Sequence, residues 1–354
     1  MKPSVTALID TYNHERYIEQ AIVSVIEQGL SSSELEIVVV DDGSTDNTAS
    51  IIQKFVPRVR HLRKKNGGQA SAFNAGFEQA RGECVALLDG DDWWAKGKLA
   101  ATIDALENNP EVGAVSHAYY EVREKENQTR ILGPSETEVL RLDTPQAARL
   151  AREHWHFLLP CALTVRKNVI EKFIPIPESL VFSADGPIAT AAMAMGVQVL
   201  PQPLSYYRVH GANLNAVDEQ DRAKTCRRLE MGAAMADAVY PMLLRMGVDR
   251  ECVAELVDPL FIYTNQSLVR SFGGGRLRNF RTEMRIFRSQ FKNPRFGYLL
   301  YKYLVVAPST LLLNPRTFFQ LREWVGRQDL RGFREWARRN KSKAKIGDDP
   351  APHG

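Results

Sequence analysis

The chain has 354 residues, 44% of them hydrophobic, and a formal net charge of +4 at pH 7. Those totals exclude a disordered chain and leave room for two or three globular domains. The four cysteines, Cys84, Cys161, Cys226 and Cys252, are scattered and form no Cys-x-x-Cys. That argues against a disulfide framework or a zinc site and fits reduced thiols in a cytoplasmic setting. Val5 to Ile9 reads as a first strand, because Asp10 cuts the apolar run too early for a signal peptide. Tyr17, Ile18, Ala21, Ile22, Val25 and Ile26 then recur at steps of three and four, one apolar face of a helix that Gly29 ends.

Ile37 to Val40 is a second, β-branched strand, followed by a helix over 48–55 and a strand over 59–62. Asn66-Gly67-Gly68 is a loop, and Gln69 to Ala80 suits a helix. Cys84 to Leu88 is a buried strand that runs into Asp89, Asp91 and Asp92. Strand and helix alternate, which predicts a parallel sheet with right-handed crossovers. The three polar clusters Asp10 to Asn13, Asp41 to Ser44 and Asp89 to Asp92 each follow a strand. In a parallel sheet all three fall along the carboxyl edge, where open α/β sheets place their ligands. Singly, each cluster reads as a turn, and Asp46 as a loop or capping residue. Together they suit a hard divalent cation shared with a diphosphate.

At these residues the sequence resembles the family 2 glycosyltransferases with the GT-A fold. The matching stretches are Thr11-Tyr12-Asn13, Val40-Asp41-Asp42-Gly43-Ser44-Thr45-Asp46, Asn66-Gly67-Gly68 with Asn74-Ala75-Gly76, and Leu88-Asp89-Gly90-Asp91-Asp92. The resemblance covers about residues 1–213. It implies an α/β GT-A fold, a Rossmann-like mixed sheet, and a site for a nucleoside-diphosphate sugar, a UDP-sugar foremost. Thr11, Tyr12, Asn13, Asp41, Asp42, Gly68, Asn74, Asp89 and Gly90 would line it, Tyr12 packing on the base and Asp42 accepting a hydrogen bond from the base. Asp91, with Asp89, would hold Mg²⁺ or Mn²⁺, and Asp92 could share either role. Asp10 stands where the family often has proline, and Phe73 where it often has an arginine that helps hold the nucleotide.

Val112 to Val115 adds a strand, 119–133 a hairpin or exposed excursion, and Pro145 to Glu153 a helix. Leu158 to Val165, interrupted by Pro160, resembles the strand before the acceptor site. Ser183-Ala184-Asp185-Gly186 precedes an apolar helix over Pro187 to Met195. Asp185 resembles the catalytic base of the family's Glu-Asp acceptor motif, with Ala184 in place of the preceding acid; read on its own it is a helix N-cap. Tyr206-Tyr207-Arg208-Val209-His210 resembles the Tyr-Arg-x-His ending of the catalytic domain. Arg208 would then neutralise phosphate and His210 would be a metal or diphosphate ligand, against the plain alternative of a structural histidine.

The predicted organisation is 1–118 for the nucleotide-sugar half, 119–215 for the acceptor half and 216–354 for a basic helical region. Ala223 to Arg245 is helical by composition. Leu277, Phe280, Met284, Phe287 and Phe291 step by three and four beside Arg278, Arg281, Arg285 and Arg288, a basic amphipathic helix. Phe296 to Leu313 is apolar, but Lys302 and Pro308 argue against a clean membrane span. Residues 316–345 carry ten lysines or arginines against three acids. These features predict peripheral attachment to an anionic membrane on its cytoplasmic face, the alternative being an ordinary helical domain with a solvated basic face. No RNA-binding motif accompanies the charge. Gln320-Leu321-Arg322-Glu323-Trp324 lacks the spacing of processive polysaccharide synthases. The expectation is therefore a non-processive, metal-dependent, inverting transfer of one sugar to a glycan or lipid-linked acceptor. Its alternative is a nucleotide-sugar-binding scaffold that has lost catalysis, the reading that Ala184 and Phe73 favour.

Overall fold

The computed structural model of the chain describes residues 3–210, 222–272, 276–290, 306–314 and 317–318. Strand and helix alternate from the start: β1 (Val5–Thr11), α1 (Ile18–Ile26), β2 (Leu35–Asp41), α2 (Thr48–Gln53), β3 (Arg60–Arg63), α3 (Gln69–Gln79) and β4 (Cys84–Asp89). There follow β5 (Trp93–Trp94), α4 (Lys98–Asn108), β6 (Ala114–Arg123), β7 (Gln128–Leu132), β8 (Glu138–Leu140) and α5 (Pro145–Glu153). Next come β9 (Thr164–Arg166), α6 (Lys167–Ile170), α7 (Asp185–Met195) and β10 (Val197–Val209). The helices α8 (Arg222–Arg245), α9 (Arg250–Phe272), α10 (Arg276–Gln290) and α11 (Ala307–Leu312) complete the described elements.

The sheet order is β3-β2-β1-β4-β9-β6-β10-β5, with β7 on β6 and β8 on β10. β1 pairs in parallel with both β2 and β4, and β2 with β3. Every residue of β2 is buried, as a strand covered on both faces requires. The two-residue period sends Leu8, Val38 and Val40 to one face, with Phe73 and Phe77 of α3 and the apolar side of α7. Ala7, Ile9, Ile37 and Val39 point to the other, against Ile18, Ile22 and Val25 of α1. Each such fully buried aliphatic side chain contributes about 1.5–3 kcal/mol. The register sets Thr11 beside Asp41 and Asp10 beside Asp89, so the three polar clusters end side by side.

The second half of the sheet is mixed. β9 runs antiparallel to β4 and β6, while β6 and β10 are parallel. Leu158 to Val165 is not one strand: a single 3₁₀ turn at Pro160–Ala162 interrupts it, and another at Trp155–Phe157 precedes it. Pro160 lacks the N–H a ladder needs, so only Thr164–Arg166 pairs. The predicted hairpin is formed by β6 and β7. β6 runs through residue 118 without a break.

Two compact units divide the chain, Met1–Thr264 and Asn265–Gly354. The first unit runs past residue 216, where a basic helical region was expected to begin: Met231, Met235, Val239, Leu243, Val253 and Val257 of α8 and α9 belong to the core shared with α3 and α7. In the second unit, the buried stripe of α10 is Asn279, Thr282, Glu283 and Ile286, and Leu277 is 57% exposed. Of the predicted apolar stripe, Leu277 is exposed and Phe280 and Met284 are half-buried. Residues 296–305 of the predicted apolar segment and the basic stretch beyond 318 lie outside the described residues.

Candidate active site

Three strand ends build the site. At the end of β1, buried Thr11 places its hydroxyl 3.2 Å from His14 Nδ1. Tyr12 is exposed. Asn13 takes a left-handed conformation, φ 56°, which asparagine tolerates. Its Oδ1 accepts from Thr45 N at 2.8 Å, and its amide donates to Ser44 Oγ at 2.9 Å. Asn13 therefore ties the first strand end to the second.

At the end of β2, fully buried Asp41 accepts from Ser44 N at 2.8 Å, with Arg63 Nε and His61 Nε2 at 3.5 and 3.8 Å from its other oxygen. Asp42 accepts from Lys64 Nζ at 2.7 Å, Gly67 N at 3.1 Å and Gly68 N at 2.7 Å. It shapes the 64–68 loop, and both of its oxygens are occupied by that loop. Gly68 has φ 86°, and a Cβ there would meet the Val181 backbone at 2.7 Å. Only glycine lets this loop approach the segment that leads to Asp185.

At the end of β4, a Cβ on Gly90 would lie 2.5 Å from Thr11 Oγ1 and 2.9 Å from His14 Nδ1. The missing side chain is what lets the Asp89-Gly90-Asp91 turn settle against β1. Asp91 Oδ2 is 3.0 Å from His210 Nε2 and 4.0 Å from His14 Nε2. Burial works to raise the Asp91 pKa, but the His210 hydrogen bond and the two imidazoles hold it below the usual range. Asp89 is pushed well up by burial and by the charges of Asp10, Asp92 and Asp91. Asp92 is buried, its Oδ1 accepting from Arg208 N at 2.8 Å; burial and Asp91 raise it strongly. Asp92 braces the turn from inside.

Asp10 belongs to this cluster, although the sequence marked it only as a departure from proline. Burial raises it to about 7, and the charges of Asp91 and Asp185 add to that. Gln69 is a second residue that sequence reasoning missed. Its Nε2 donates to Asp89 Oδ1 at 3.2 Å, and its Oε1 accepts from Ala184 N at 3.0 Å. One amide thus links the carboxylate turn to the entry of α7. Asp185 is the first residue of α7, with Ala184 at the N-cap position. Asp185 is half-buried, and burial raises its pKa while its own amide and that of Gly186 oppose the rise.

Two expected ligands are engaged elsewhere. Asn74, expected at the nucleotide, donates to Ile176 O and accepts from Ile176 N, both at 2.8 Å, and so clamps the acceptor-side loop. Arg208 is 7% exposed. Its guanidinium donates to Asp91 O at 2.8 Å, to Gln20 Oε1 at 2.7 Å and to Glu124. The Tyr17 and Trp93 rings lie 4.6 and 4.4 Å from its central carbon. With its edges and faces engaged, Arg208 is a strut for the acid turn rather than a free phosphate ligand. Phe73 is wholly buried and stacks on Phe77, so no side chain reaches the site from that position.

Residues 6–174 match the family model described as glycosyl transferase family 2. An uncharacterised glycosyltransferase of Nostoc sp. is 35% identical over 238 residues, 64% of this chain and 72% of the relative. The chain belongs to glycosyltransferase family 2. The poly(ribitol-phosphate) β-N-acetylglucosaminyltransferase TarS of Staphylococcus aureus is 40% identical over 111 residues, 29% of this chain and 19% of that protein. A crystal structure of S. aureus TarS superposes with TM-score 0.55 at 21% identity, covering 89% of this chain and 54% of that one. TarS 1–349 in complex with UDP-GlcNAc superposes with TM-score 0.52 at 18% identity, covering 86% and 91%. These likenesses carry the GT-A fold, and this chain spans about half of the longer TarS chain.

Family 2 members with this fold commonly use a divalent cation. The Asp91 carboxylate beside the His210 imidazole is a donor pair that suits Mn²⁺, or Mg²⁺ through the carboxylate. Crowded, uncompensated acids at Asp10, Asp89 and Asp92 would be relieved by such a charge. Among the described residues no three His, Cys, Asp or Glu side chains form a closed cage. The residues present therefore fit a cation that takes most of its oxygens from a bound diphosphate.

Proposed function

We propose that this transferase moves a single sugar from a UDP-sugar to a hydroxyl of a glycan or lipid-linked acceptor, with inversion at the anomeric carbon. The observation that supports this most is the joining of the Asp89–Asp92 turn to the start of α7 through Gln69. It brings a candidate base within electrostatic reach of the donor-side carboxylates. The UDP-GlcNAc complex of TarS supports the choice of donor class. Asp91, with Asp89 and His210 beside it, would hold Mg²⁺ or Mn²⁺, which supplies positive charge against the departing diphosphate.

Asp185 accepts the proton of the acceptor hydroxyl as that oxygen attacks. Burial raises the Asp185 pKa, which makes its carboxylate a better base than a free one. Tyr12, exposed at the end of β1, offers its ring to the nucleotide base. Asp42 and Asn13 hold the loops that surround it, and Arg208 holds the Asp91 backbone. In the second unit, exposed Leu277 on a helix with Arg276, Arg278, Arg281 and Arg285 supports contact with an anionic membrane surface. Among the described residues no helix is long and apolar enough to cross a membrane.

A panel of nucleotide sugars, with and without Mn²⁺, tests the reading by release of free nucleoside diphosphate. Cation-dependent release of UDP from one sugar donor, accelerated by membrane glycolipid extract, is the expected result. Release of pyrophosphate instead, or none with any donor and extract, overturns it.

A further inference from the structure

The end of the sheet opposite the carboxylates has its own cavity, of about 590 Å³. It opens where β1 and β2 begin, and its lining includes Ser33, Glu36, Arg58, Arg60, Arg81 and Lys167. β1 spans seven residues, about 20 Å at 3.3 Å per residue, so this cavity is remote from Asp89 and Asp91. Its volume falls in the range of small-ligand sites, about 300–1,000 Å³. Four cations face it, against one acid.

That acid is fully engaged. Glu36 is 8% exposed and accepts from the Thr6 hydroxyl at 2.7 Å, Arg81 N at 2.8 Å and Arg81 Nε at 2.7 Å. Arg60 Nη1 lies 3.3 Å from the same carboxylate. The other two cations are fixed by backbone carbonyls: Arg58 Nη1 donates to Leu35 O at 3.2 Å, and Lys167 Nζ to Ala80 O at 2.8 Å. Among the described residues neither makes an ion pair with a carboxylate. Each tether holds one corner of its side chain and leaves further N–H groups toward the cavity; the Arg81 side chain is 69% exposed. Four cations around one carboxylate, two of them held in place by carbonyls alone, make a preorganised anion receptor, and guanidinium forks match phosphate oxygens in pairs.

We propose that this cavity is a second ligand site, for a phosphate-bearing anion, independent of the donor site. It needs no feature of the proposed sugar transfer. Inorganic pyrophosphate is the probe, added to the full chain in EDTA, where the acid end of the sheet repels an anion. Calorimetry is expected to give saturable 1:1 binding that Asp91→Ala leaves unchanged. Arg58→Gln and Lys167→Gln remove charge but keep a donor for Leu35 O and Ala80 O; each should weaken binding about tenfold, the loss of one charge-assisted hydrogen bond. Competition by phosphatidylglycerol vesicles would identify a lipid headgroup as the source of the phosphate, and its absence a soluble phosphate; either is consistent with the site. No saturable binding by the wild-type chain, equal binding by both glutamine variants, or loss of binding in Asp91→Ala overturns the proposal. Should a glutamine variant fail to fold, a wild-type thermal midpoint unmoved by pyrophosphate does the same.

Discussion

The two ends of one sheet carry opposite charge, and they carry it differently. At the carboxyl end, Asp10, Asp89, Asp91 and Asp92 are packed against one another, and three of the four are raised by burial and mutual repulsion. At the amino end, Arg58, Arg60, Arg81 and Lys167 ring an open cavity and are tethered by carbonyls and one buried glutamate. Parallel pairing of β1, β2, β3 and β4 produces both ends at once, since it brings the starts of these strands to one edge and their ends to the other, while antiparallel β9 delivers Lys167 to the edge of the starts. The acid end holds carboxyls that burial and mutual repulsion keep from ionising, a strain that a cation bound with a diphosphate would relieve. The basic end holds cations close to solvent, the condition for an anion.

That contrast can be broken most sharply at Asp185. Asp185→Asn should lower sugar transfer by about 10²–10⁴, the usual worth of a general base, with donor binding by calorimetry nearly intact. Loss of donor binding as well would make Asp185 a support for α7 instead. Asp91→Ala should come next: donor affinity measured with and without Mn²⁺ becomes equal, and a retained cation effect would remove Asp91 from the ligands. Arg208 is a buried cation that holds the Asp91 backbone at the acid end. Arg208→Ala should cost about 3–5 kcal/mol in urea unfolding, as expected for a buried charge whose partners lose it. A surviving fold with unchanged stability would mean that the acid turn stands without its strut.

A smaller effect tests how closely the turns pack. Gly90→Ala pushes a methyl toward Thr11 and His14 and should destabilise by about 1–3 kcal/mol, with donor KM raised more than kcat is lowered. Lys98 sits at neither end. It is fully buried, donates to Thr164 Oγ1 at 2.9 Å and lies 4.1 Å from the Trp94 ring. Burial lowers its pKa from 10.5 to about 7. A lowered folded-state pKa means that the unfolded chain binds the extra proton, so Lys98 makes stability fall as pH drops from about 10.5 to 7. Lys98→Met should flatten that part of the stability–pH curve and leave stability at pH 7 equal or about 1 kcal/mol higher. A variant with the wild-type slope would assign it to other groups.

Much of the fold was legible because its signals are local. Apolar runs of five, periods of three and four, and glycines after helices depend on neighbours a few residues away, and they marked β1, α1, β2, α3 and β4 within a residue or two at most ends. The strand over 158–165 was not legible, because Pro160 and the 3₁₀ turns around it are set by what Trp94 Nε1 and Leu87 N need there, hydrogen bonds to Cys161 O and Leu163 O. Leu277 at the start of α10 lies exposed for a similar reason: hydrophobic spacing marks a stripe, but packing chooses which of its residues are covered.

By itself the sequence determined that three polar clusters end three parallel strands on one edge, since strand–helix alternation and crossover handedness leave little other choice. It also determined the candidate acids, because Asp-x-Asp on a strand end is written in consecutive residues. Only the tertiary structure decided which polar groups are free. Asn74 is engaged by a residue 102 positions away, Arg208 by one 117 away, and Gln69 joins partners 20 and 115 positions from it. Hydrogen bonds of that span leave no trace in local pattern. The charge on each acid was decided there too, because burial and the distance to the next carboxylate, not residue type, set how readily it ionises.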